Sequence, residues 1–326
     1  MSTNVNIGTK VLSKIKDSGT TLSLVIVYII LCAVFTVLSP YFLTLNNFLN
    51  IGTYGSIMGV MAVGVTIAML LGAIDISQWS IATLAGMVAA ILMNQDVNWL
   101  IAVLAALAVG VVCGIVNGLL IASLKITAII ATMGTMQIFR GVAYLTTNGS
   151  TVMIANQQYA LIGRGFIFNT VPIALLIVIV AFVLAYLILK YTRFGRYVFA
   201  VGGNESASYL TGINIMRVKL KALVISGFCA SIAGVIVTSQ VGAAIPTTGI
   251  GMEMGVLSAV ILGGLSLSGG KGKISGTLIG ILILATIQNG LTLLSVRTFY
   301  QMIINGFVLI LAVSMDVIRS GALKKR

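Results

Sequence analysis

The sequence predicts an all-α, polytopic membrane protein with about ten transmembrane helices. Three observations predict this fold class. Hydrophobic residues make up 59% of the 326 residues, only 8% of the residues are charged, and the mean hydropathy is +1.14. Because a soluble domain contains about 25% charged residues, this chain has too few polar side chains to cover a soluble surface.

About ten apolar runs, separated by polar or glycine-rich breaks, define the expected spans in chain order. They cover residues 20–38, 50–72, 79–94, 97–122, 126–146, 170–189, 222–241, 254–268, 274–294 and 299–317. The third and eighth runs are short for a span. The first run is long and lacks a small-residue cleavage site, so we expect an uncleaved first span rather than a signal peptide.

The basic residues set the orientation of these spans. When the N-terminus is placed in the cytoplasm, only Arg140, Arg164 and Arg297 of the 19 Lys and Arg residues fall outside the inner segments. This bias is typical of the positive-inside rule and predicts that both termini are cytoplasmic. The expected organisation is one transmembrane domain at 1–326, with a cytoplasmic tail at 1–19 and a basic cytoplasmic tail at 318–326.

Two segments of the chain resemble each other and predict two pseudo-repeated halves. Leu71–Ser77 is similar to Leu262–Ser268, and each is followed by a Thr-Leu-x-Gly run, at 83–86 and 277–280. Both breaks follow spans that run inward, so the repeats would be parallel, and such breaks often flank a translocation pathway. A shared glycine-rich composition is the alternative explanation. The candidate structural or gating residues in these breaks are Asp75, Gly263 and Gly264.

Glycines also recur at helical spacing inside the spans. Small residues four positions apart allow helix backbones to approach closely, where lipid provides no hydrophobic drive for association. We expect them to pack helices within one bundle. They are Gly110, Gly114 and Gly118 in the fourth run, and Gly276 and Gly280 in the ninth.

The composition excludes most catalytic and metal chemistry. The chain has no His, so Ser-His-Asp and Cys-His mechanisms and His-containing metal sites cannot be built. The three Cys residues lie far apart in apolar runs and are expected to be buried small hydrophobic side chains.

The cluster Gly269–Lys273 does not match a phosphate loop. Leu265 occupies the position that requires Gly, and Gly272 occupies the position that requires Ser or Thr. We expect no catalytic residue, metal or bound cofactor. The net charge of +13 forms no stripe with aromatic residues, so we expect no nucleic-acid binding.

Uncharged amides within the apolar runs are the candidate substrate-pathway residues, because an unsatisfied polar group in hydrocarbon costs several kcal/mol. Amides suit a neutral, hydroxyl-rich solute, and they equally suit ordinary hydrogen bonds between helices. No close carboxylate pair predicts a proton relay. The candidates are Asn117, Gln137, Gln288, Asn289 and Asn305.

The longest inner segment, 191–217, predicts a short exposed helix. Asn204 is a good N-cap, Glu205 favours the first turn through the helix dipole, and Gly212 is a natural stop. Ala207 and Leu210 would lie on one side of this two-turn helix, which suits insertion into a groove on a partner. A solvated loop held to anionic lipid by its Arg residues is the alternative.

The residues of this segment resemble the cytoplasmic coupling loop of bacterial monosaccharide permeases, the ribose type, of ABC transporters. The resemblance extends from about residue 40 to the C-terminus. It is carried by Gly195–Tyr197, Val201–Ala207, Leu210–Asn214, Gly72–Ser77, Lys125–Gly134, Leu262–Gly264 and Gly269–Gly272. One departure is Gln78 and Trp79, which stand where the family usually has small residues after the Asp-Leu-Ser motif.

The resemblance implies a permease subunit that imports ribose or a related monosaccharide across the bacterial inner membrane by alternating access. It implies cytoplasmic ATP-binding subunits that bind ATP and Mg, an extracytoplasmic sugar-binding protein, and a second permease copy or paralogue. The implied ATPase-coupling residues are Gly202, Gly203, Asn204, Glu205, Ser206, Ala207, Leu210 and Gly212. A secondary transporter of a small neutral solute, driven by an ion gradient, is the main alternative, and a passive channel or assembly subunit is another.

Overall fold

The computed structural model describes the backbone of residues 7–320 and the side chains of residues 22–314 other than Thr298 and Ala312. The helices in this part of the chain are α1 (Ile7–Leu38), α2 (Leu45–Leu70), α3 (Gln78–Asn94), α4 (Trp99–Ala122), α5 (Ala128–Leu145), α6 (Gln157–Arg164), α7 (Ile173–Tyr191), α8 (Arg193–Gly203), α9 (Glu205–Leu210), α10 (Ile215–Val241), α11 (Glu253–Leu262), α12 (Ile274–Leu293) and α13 (Thr298–Ser320). Four two-residue strands form two antiparallel pairs: β1 (Val152–Met153) with β4 (Ala243–Ala244), and β2 (Phe166–Ile167) with β3 (Val171–Pro172).

The predicted all-α class is confirmed. Within the described residues, 6 helices are long and apolar enough to cross a membrane, namely α2, α4, α5, α7, α10 and α12. Shorter apolar helical stretches lie at Leu22–Leu38, Gln78–Asn94, Glu253–Leu262 and Phe299–Leu311. Every predicted apolar run therefore coincides with a helix. Residues 1–6 of the predicted N-terminal tail and residues 321–326 of the basic tail lie outside the described residues.

Several helices begin where the sequence supplies a capping side chain, which accepts a backbone N–H that the first turn leaves unpaired. The side-chain oxygen of Asn204, for example, accepts the N–H of Ala207 at 2.9 Å. The capping residues are Thr44, Asn98, Asn156, Thr192, Asn204 and Asn214, at the starts of α2, α4, α6, α8, α9 and α10. The starts of these six helices therefore follow local capping chemistry.

Helix α10 lies at the centre of the bundle and packs against α2, α3 and α4. Glycines make this approach close: a Cβ atom on Gly227 would overlap the carbonyl oxygen of Gly110, and one on Gly114 would lie 2.5 Å from the carbonyl oxygen of Leu223. A Cβ on Gly118 would overlap the side chain of Leu220. The glycines of the fourth run therefore pack helices within one chain, as predicted.

The same packing joins α11 to α12. A Cβ atom on Gly276 would overlap the carbonyl oxygen of Gly263, and one on Gly280 would overlap that of Ala259. The two helices run antiparallel along this contact. The predicted packing role of Gly276 and Gly280 is confirmed.

Helix α11 is much shorter than the predicted run 254–268. Its 10 residues span about 15 Å, or half of a hydrocarbon core. It ends at Leu262 because the chain turns there: Gly264 adopts φ +91°, and Leu265 donates its N–H to the carbonyl of Val260 at 3.3 Å. A non-helical segment at 263–273 then leads to α12.

The helices before the two predicted repeat breaks end in the same backbone motif. At the end of α2, Gly72 has φ +72° and Ala73 donates to the carbonyl of Ala68. Gly264 and Leu265 make the matching arrangement after α11, which satisfies the last carbonyls of each helix. The structural register therefore matches Gly72 with Gly264, whereas the sequence comparison pairs Gly72 with Gly263.

The inner segment 191–217 contains two helices where the sequence analysis predicted one. Helix α8 precedes α9 and buries Gly195, Val198 and Val201. The cap at Thr192 and the spacing of these three residues are the signals that could have identified it. The short helix predicted between Asn204 and Gly212 is confirmed as α9, whose 6 residues end before Gly212 at φ +81°.

Candidate functional site

Three glycine-bearing segments meet at the predicted inner end of α2. The N–H of Gly270 donates to the carbonyl of Leu70 at 2.8 Å. The C-terminal turn of α8 packs on the same carbonyl through Gly202, where a Cβ would also lie 2.8 Å from the Gly270 nitrogen. The segments that follow α2 and α11 and the segment 191–217 lie far apart in the sequence but share one contact, which we call the inner junction.

Two adjacent glycines at this junction differ sharply in their surroundings. A Cβ atom on Gly202 would overlap the carbonyl oxygen of Leu70, whereas one on Gly203 would meet nothing within 4 Å. Gly202 is therefore a packing position within the chain rather than an exposed contact. The Gly203 position is open.

Helix α9 presents an exposed tip. Leu210 is 85% exposed and Tyr209 is 72% exposed, although both are large apolar residues. Asn204, Glu205, Ser206, Ala207 and Gly212 are exposed as well. The base of the helix is held by the ion pair between Lys219 Nζ and Glu205 Oε2 at 2.7 Å and by burial of Ser208. The predicted coupling residues other than Gly202 thus lie on an accessible surface.

An open groove of about 1400 Å³ lies between α9 and the turn that joins α4 to α5. Glu205, Tyr209 and Lys219 line one side, and Ile121 and Lys125 line the other. Helix α9 packs against α8 and α10, and among the described residues none covers its groove side. Helix α9 is thus attached along one side, next to the inner junction.

The first chain break, Leu71–Ser77, is held by a buried carboxylate. Asp75 is 1% exposed. Its Oδ1 accepts the N–H of Ser77 at 3.0 Å and the hydroxyl of the same residue at 2.6 Å. Its Oδ2 accepts the amide of Gln78 at 2.9 Å and the hydroxyl of Ser226 at 2.7 Å. Four donors thus compensate the burial of this carboxyl group, as a buried charge requires.

The network continues into α4 and α5 through Asn117. Its amide donates to the hydroxyl of Ser77 at 2.8 Å, and its carbonyl accepts the hydroxyl of Thr135 at 2.6 Å. Asn117 is 0% exposed. We call Asp75, Ser77, Gln78, Asn117, Thr135 and Ser226 the buried network. It joins the break to α4, α5 and α10, so the structure supports the hydrogen-bonding alternative for Asn117.

Gln78 stands where the family that this chain resembles usually has a small residue, and its contacts show what the larger side chain does here. Its side-chain amide also donates to the hydroxyl and the carbonyl of Ser226, so this large polar side chain fastens α3 to α10. Trp79 is 4% exposed and lies against the link between α10 and α11, where a Cβ on Gly249 would overlap its indole ring. The sequence analysis identified neither contact, since both join residues more than a hundred positions apart.

The other predicted pathway residues are spread over three helices. Gln137 is exposed on α5. On α12, Gln288 donates its amide to Gln301, and Asn289 is half-buried with its carbonyl oxygen unpaired. Asn305 on α13 is half-buried. The predicted pathway set therefore contains residues in several environments, while the gating candidates Asp75, Gly263 and Gly264 lie at the breaks.

A second polar cluster surrounds Arg140 on α5. Its Nη1 donates to the hydroxyl of Thr83 at 3.0 Å and to the carbonyls of Pro246 and Thr248 at 3.1 and 2.6 Å. Its Nη2 lies 3.7 Å from Glu253 Oε1. The sequence analysis placed Arg140 within a span but did not select it as a functional residue. A lone Arg in an apolar run is the signal that could have identified it.

Proteins of known function match most of this chain in sequence. The family described as "Branched-chain amino acid transport system / permease component" matches residues 47–313. The chain is 43% identical over 294 residues to the ribose import permease protein RbsC of Escherichia coli (strain K12), covering 89% of this chain and 92% of that one. It is 39% identical over 289 residues to RbsC of Bacillus subtilis (strain 168), covering 88% and 89% of the two chains.

A third relative transports a different pentose by name. The L-arabinose transport system permease protein AraH of Escherichia coli (strain K12) is 39% identical over 290 residues, covering 89% of this chain and 87% of AraH. No solved structure matches this chain.

Proposed function

Because the chain belongs to the family of branched-chain amino acid transport system permease components, we propose that it is the membrane-spanning permease subunit of an ABC importer for ribose or a related monosaccharide. The similarity to ribose import permeases over most of the chain carries this proposal. The sugar would cross the bacterial inner membrane by alternating access. The motifs quoted from the sequence led to the same function.

The proposed topology has about ten spans, with both termini in the cytoplasm and two repeated halves. The four shorter apolar helical stretches would account for the spans beyond the 6 long ones, although α11 crosses only about half of the hydrocarbon core. The distribution of Lys and Arg supports the orientation. The matching chain reversals at Gly72 and Gly264 support the repeat. Broken helices of this kind are common in transporters, where they lie beside the solute pathway.

The proposed partners bind ATP, deliver the sugar and cover the exposed face of α5. ATP and Mg would be bound by two cytoplasmic ATP-binding subunits, and an extracytoplasmic sugar-binding protein would deliver the sugar. A second permease copy or paralogue would cover α5, where Gln137 is exposed and added Cβ atoms on Gly134 and Gly141 meet nothing within 4 Å. An exposed amide in mid-span is costly in lipid, so Gln137 suits a pathway between two permeases.

The inner junction supplies a mechanical route for coupling. Motion of α9 would be transmitted directly to the C-terminal turn of α8, where Gly202 lies against the last carbonyl of α2 and against Gly270. Both breaks would then move together. ATP acts by favouring one conformation over the other, because equal binding to both conformations shifts nothing.

The exposed tip of α9 tests this role. We expect Leu210→Arg to reduce the stimulation of ATP hydrolysis by sugar-loaded binding protein at least tenfold, equivalent to about 1.4 kcal/mol, because a charge would enter an apolar contact with the ATPase. ATP hydrolysis by the reconstituted complex is the measurement. Leu124→Arg is the matched control, since Leu124 is also an exposed leucine, 66% exposed, in the α4–α5 turn.

Normal expression of both variants, with loss of stimulation only in Leu210→Arg, supports the docking of α9. Unchanged stimulation in Leu210→Arg would instead favour a solvated loop held on anionic lipid, because an added Arg strengthens that attraction.

A further inference from the structure

The link between α10 and α11 folds back towards the interior of the proposed membrane domain. Thr83 Oγ1 donates to the carbonyl of Thr248 at 3.0 Å, and Gly249 lies against the ring of Trp79. Thr83 lies 11 residues before the outer end of α3 at Asn94, which corresponds to about 16 Å at 1.5 Å per residue. The link therefore reaches well below the outer end of the bundle, and we call residues 245–252 the re-entrant loop.

Arg140 holds this loop in place. Two of its three hydrogen bonds go to loop carbonyls, those of Pro246 and Thr248, and the third goes to the hydroxyl of Thr83. The residue is 7% exposed, and the carboxylate of Glu253 at 3.7 Å supplies a counter-charge. A buried charge is expensive without such partners, so removing the loop would leave the guanidinium in need of new acceptors.

Two donors beside the loop make no hydrogen bond. Trp79 Nε1 and Arg140 Nη2 are both buried without a hydrogen-bond acceptor, although Nη2 faces the Glu253 carboxylate at 3.7 Å. Each buried donor without an acceptor costs about 1–3 kcal/mol, and such groups in a native structure call for an explanation. Their common location beside one loop indicates a site built for hydrogen-bonding acceptors that the closed loop satisfies only in part.

We propose that Trp79, Thr83, Arg140 and Glu253 form a subsite for a neutral polyhydroxylated solute, which the re-entrant loop closes in this conformation. The carbonyl oxygens of Pro246 and Thr248 occupy positions that solute hydroxyls take when the loop withdraws. The guanidinium and indole N–H groups donate to hydroxyl oxygens, Glu253 accepts a hydrogen bond from a hydroxyl group, and the indole face covers the apolar side of a sugar ring. This inference rests on the proposed function, because it assigns the site to the transported sugar.

Two glycines in the loop provide a matched pair of variants. Gly249 and Gly251 have φ +76° and +79°, so Ala is strained equally at both positions. A Cβ on Gly249 would overlap the Trp79 ring, whereas one on Gly251 would approach only Met302 Cε at 3.7 Å. Gly249→Ala is therefore expected to displace the loop, while Gly251→Ala is not.

Fluorescence of Trp79 measures both loop position and sugar binding. The chain has 2 Trp residues, so Trp99→Phe leaves Trp79 as the only one. In this background, in lipid nanodiscs, we expect Gly249→Ala to increase acrylamide quenching at least twofold over the parent and over Gly251→Ala. Saturating D-ribose should then restore protection. Arg140→Gln removes the guanidinium that bonds the loop carbonyls and adds no volume. It should also increase quenching, but D-ribose should not protect Trp79 in this variant.

Arg297→Gln, a change at an exposed Arg outside the cluster, is expected to behave like the parent protein. Quenching that stays low in both Gly249→Ala and Arg140→Gln would overturn the closure by the loop. Increased quenching without protection by D-ribose in Gly249→Ala would overturn the subsite. Import of ribose by the wild-type complex with its binding protein, measured in parallel, separates these failures from failure of the proposed function.

Discussion

Gly202→Ala is expected to abolish sugar import and the stimulation of ATP hydrolysis, while Gly203→Ala leaves both near the wild-type level. The methyl group added by Gly202→Ala would overlap the carbonyl oxygen of Leu70, and neither backbone can yield without moving the end of α2. The hydrogen bond from Gly270 to that carbonyl would be lost as well. Since the inner junction joins α8 to both breaks, coupling fails even when the ATPase still docks on α9.

Three measurements on the reconstituted complex separate the possible results. Import and stimulated hydrolysis should fall at least tenfold, equivalent to about 1.4 kcal/mol, whereas co-purification of the ATP-binding subunits should persist. Gly203→Ala is the control because open space surrounds that position. Wild-type import by Gly202→Ala would contradict the coupling route through the inner junction.

Asp75→Asn is expected to destabilise the permease by about 3 kcal/mol, because it leaves fixed donors of the buried network facing each other. Asp75 Oδ1 accepts a backbone N–H from Ser77, and Oδ2 accepts the side-chain amide of Gln78. If Oδ1 becomes the NH₂ group, it faces the backbone N–H of Ser77, which cannot turn into an acceptor. If Oδ2 becomes the NH₂ group, Gln78 accepts from it only by flipping its amide, which gives up the hydrogen bond to the carbonyl of Ser226. Import should decrease together with stability, since the first break loses its anchor to α10.

The midpoint of thermal unfolding in detergent, measured beside import activity, tests this expectation. Asp96→Asn is the matched control, because Asp96 is exposed at φ +60°, a conformation that Asn also accepts. Equal unfolding midpoints for Asp75→Asn and the wild type would show that the carboxylate does not anchor the break.

The sequence predicted those parts of the fold that depend on local signals. Apolar runs located the helices, Asn204 and Gly212 located the limits of α9, and Gly110 was correctly expected to pack within the bundle. The early end of α11 follows from the positive φ at Gly264, which a hydrophobic run does not reveal.

The sequence did not predict the contacts that join distant segments. Gln78 meets Ser226 across 148 positions, and Arg140 meets Thr248 across 108. A single sequence contains periodicity and capping signals, but these do not predict which buried polar groups form hydrogen bonds with each other. The polar residues within spans were therefore recognised as unusual, while their partners became evident only in the folded chain.

Uptake of radiolabelled ribose into proteoliposomes tests the central claim most directly. Vesicles that contain this permease and its ATP-binding subunits, supplied with the sugar-binding protein on the outer face, should accumulate ribose only when ATP and Mg are present at the ATPase. Vesicles with the permease alone should accumulate none under an imposed proton or sodium gradient. Gradient-driven accumulation by the permease alone would contradict the account and identify a secondary transporter.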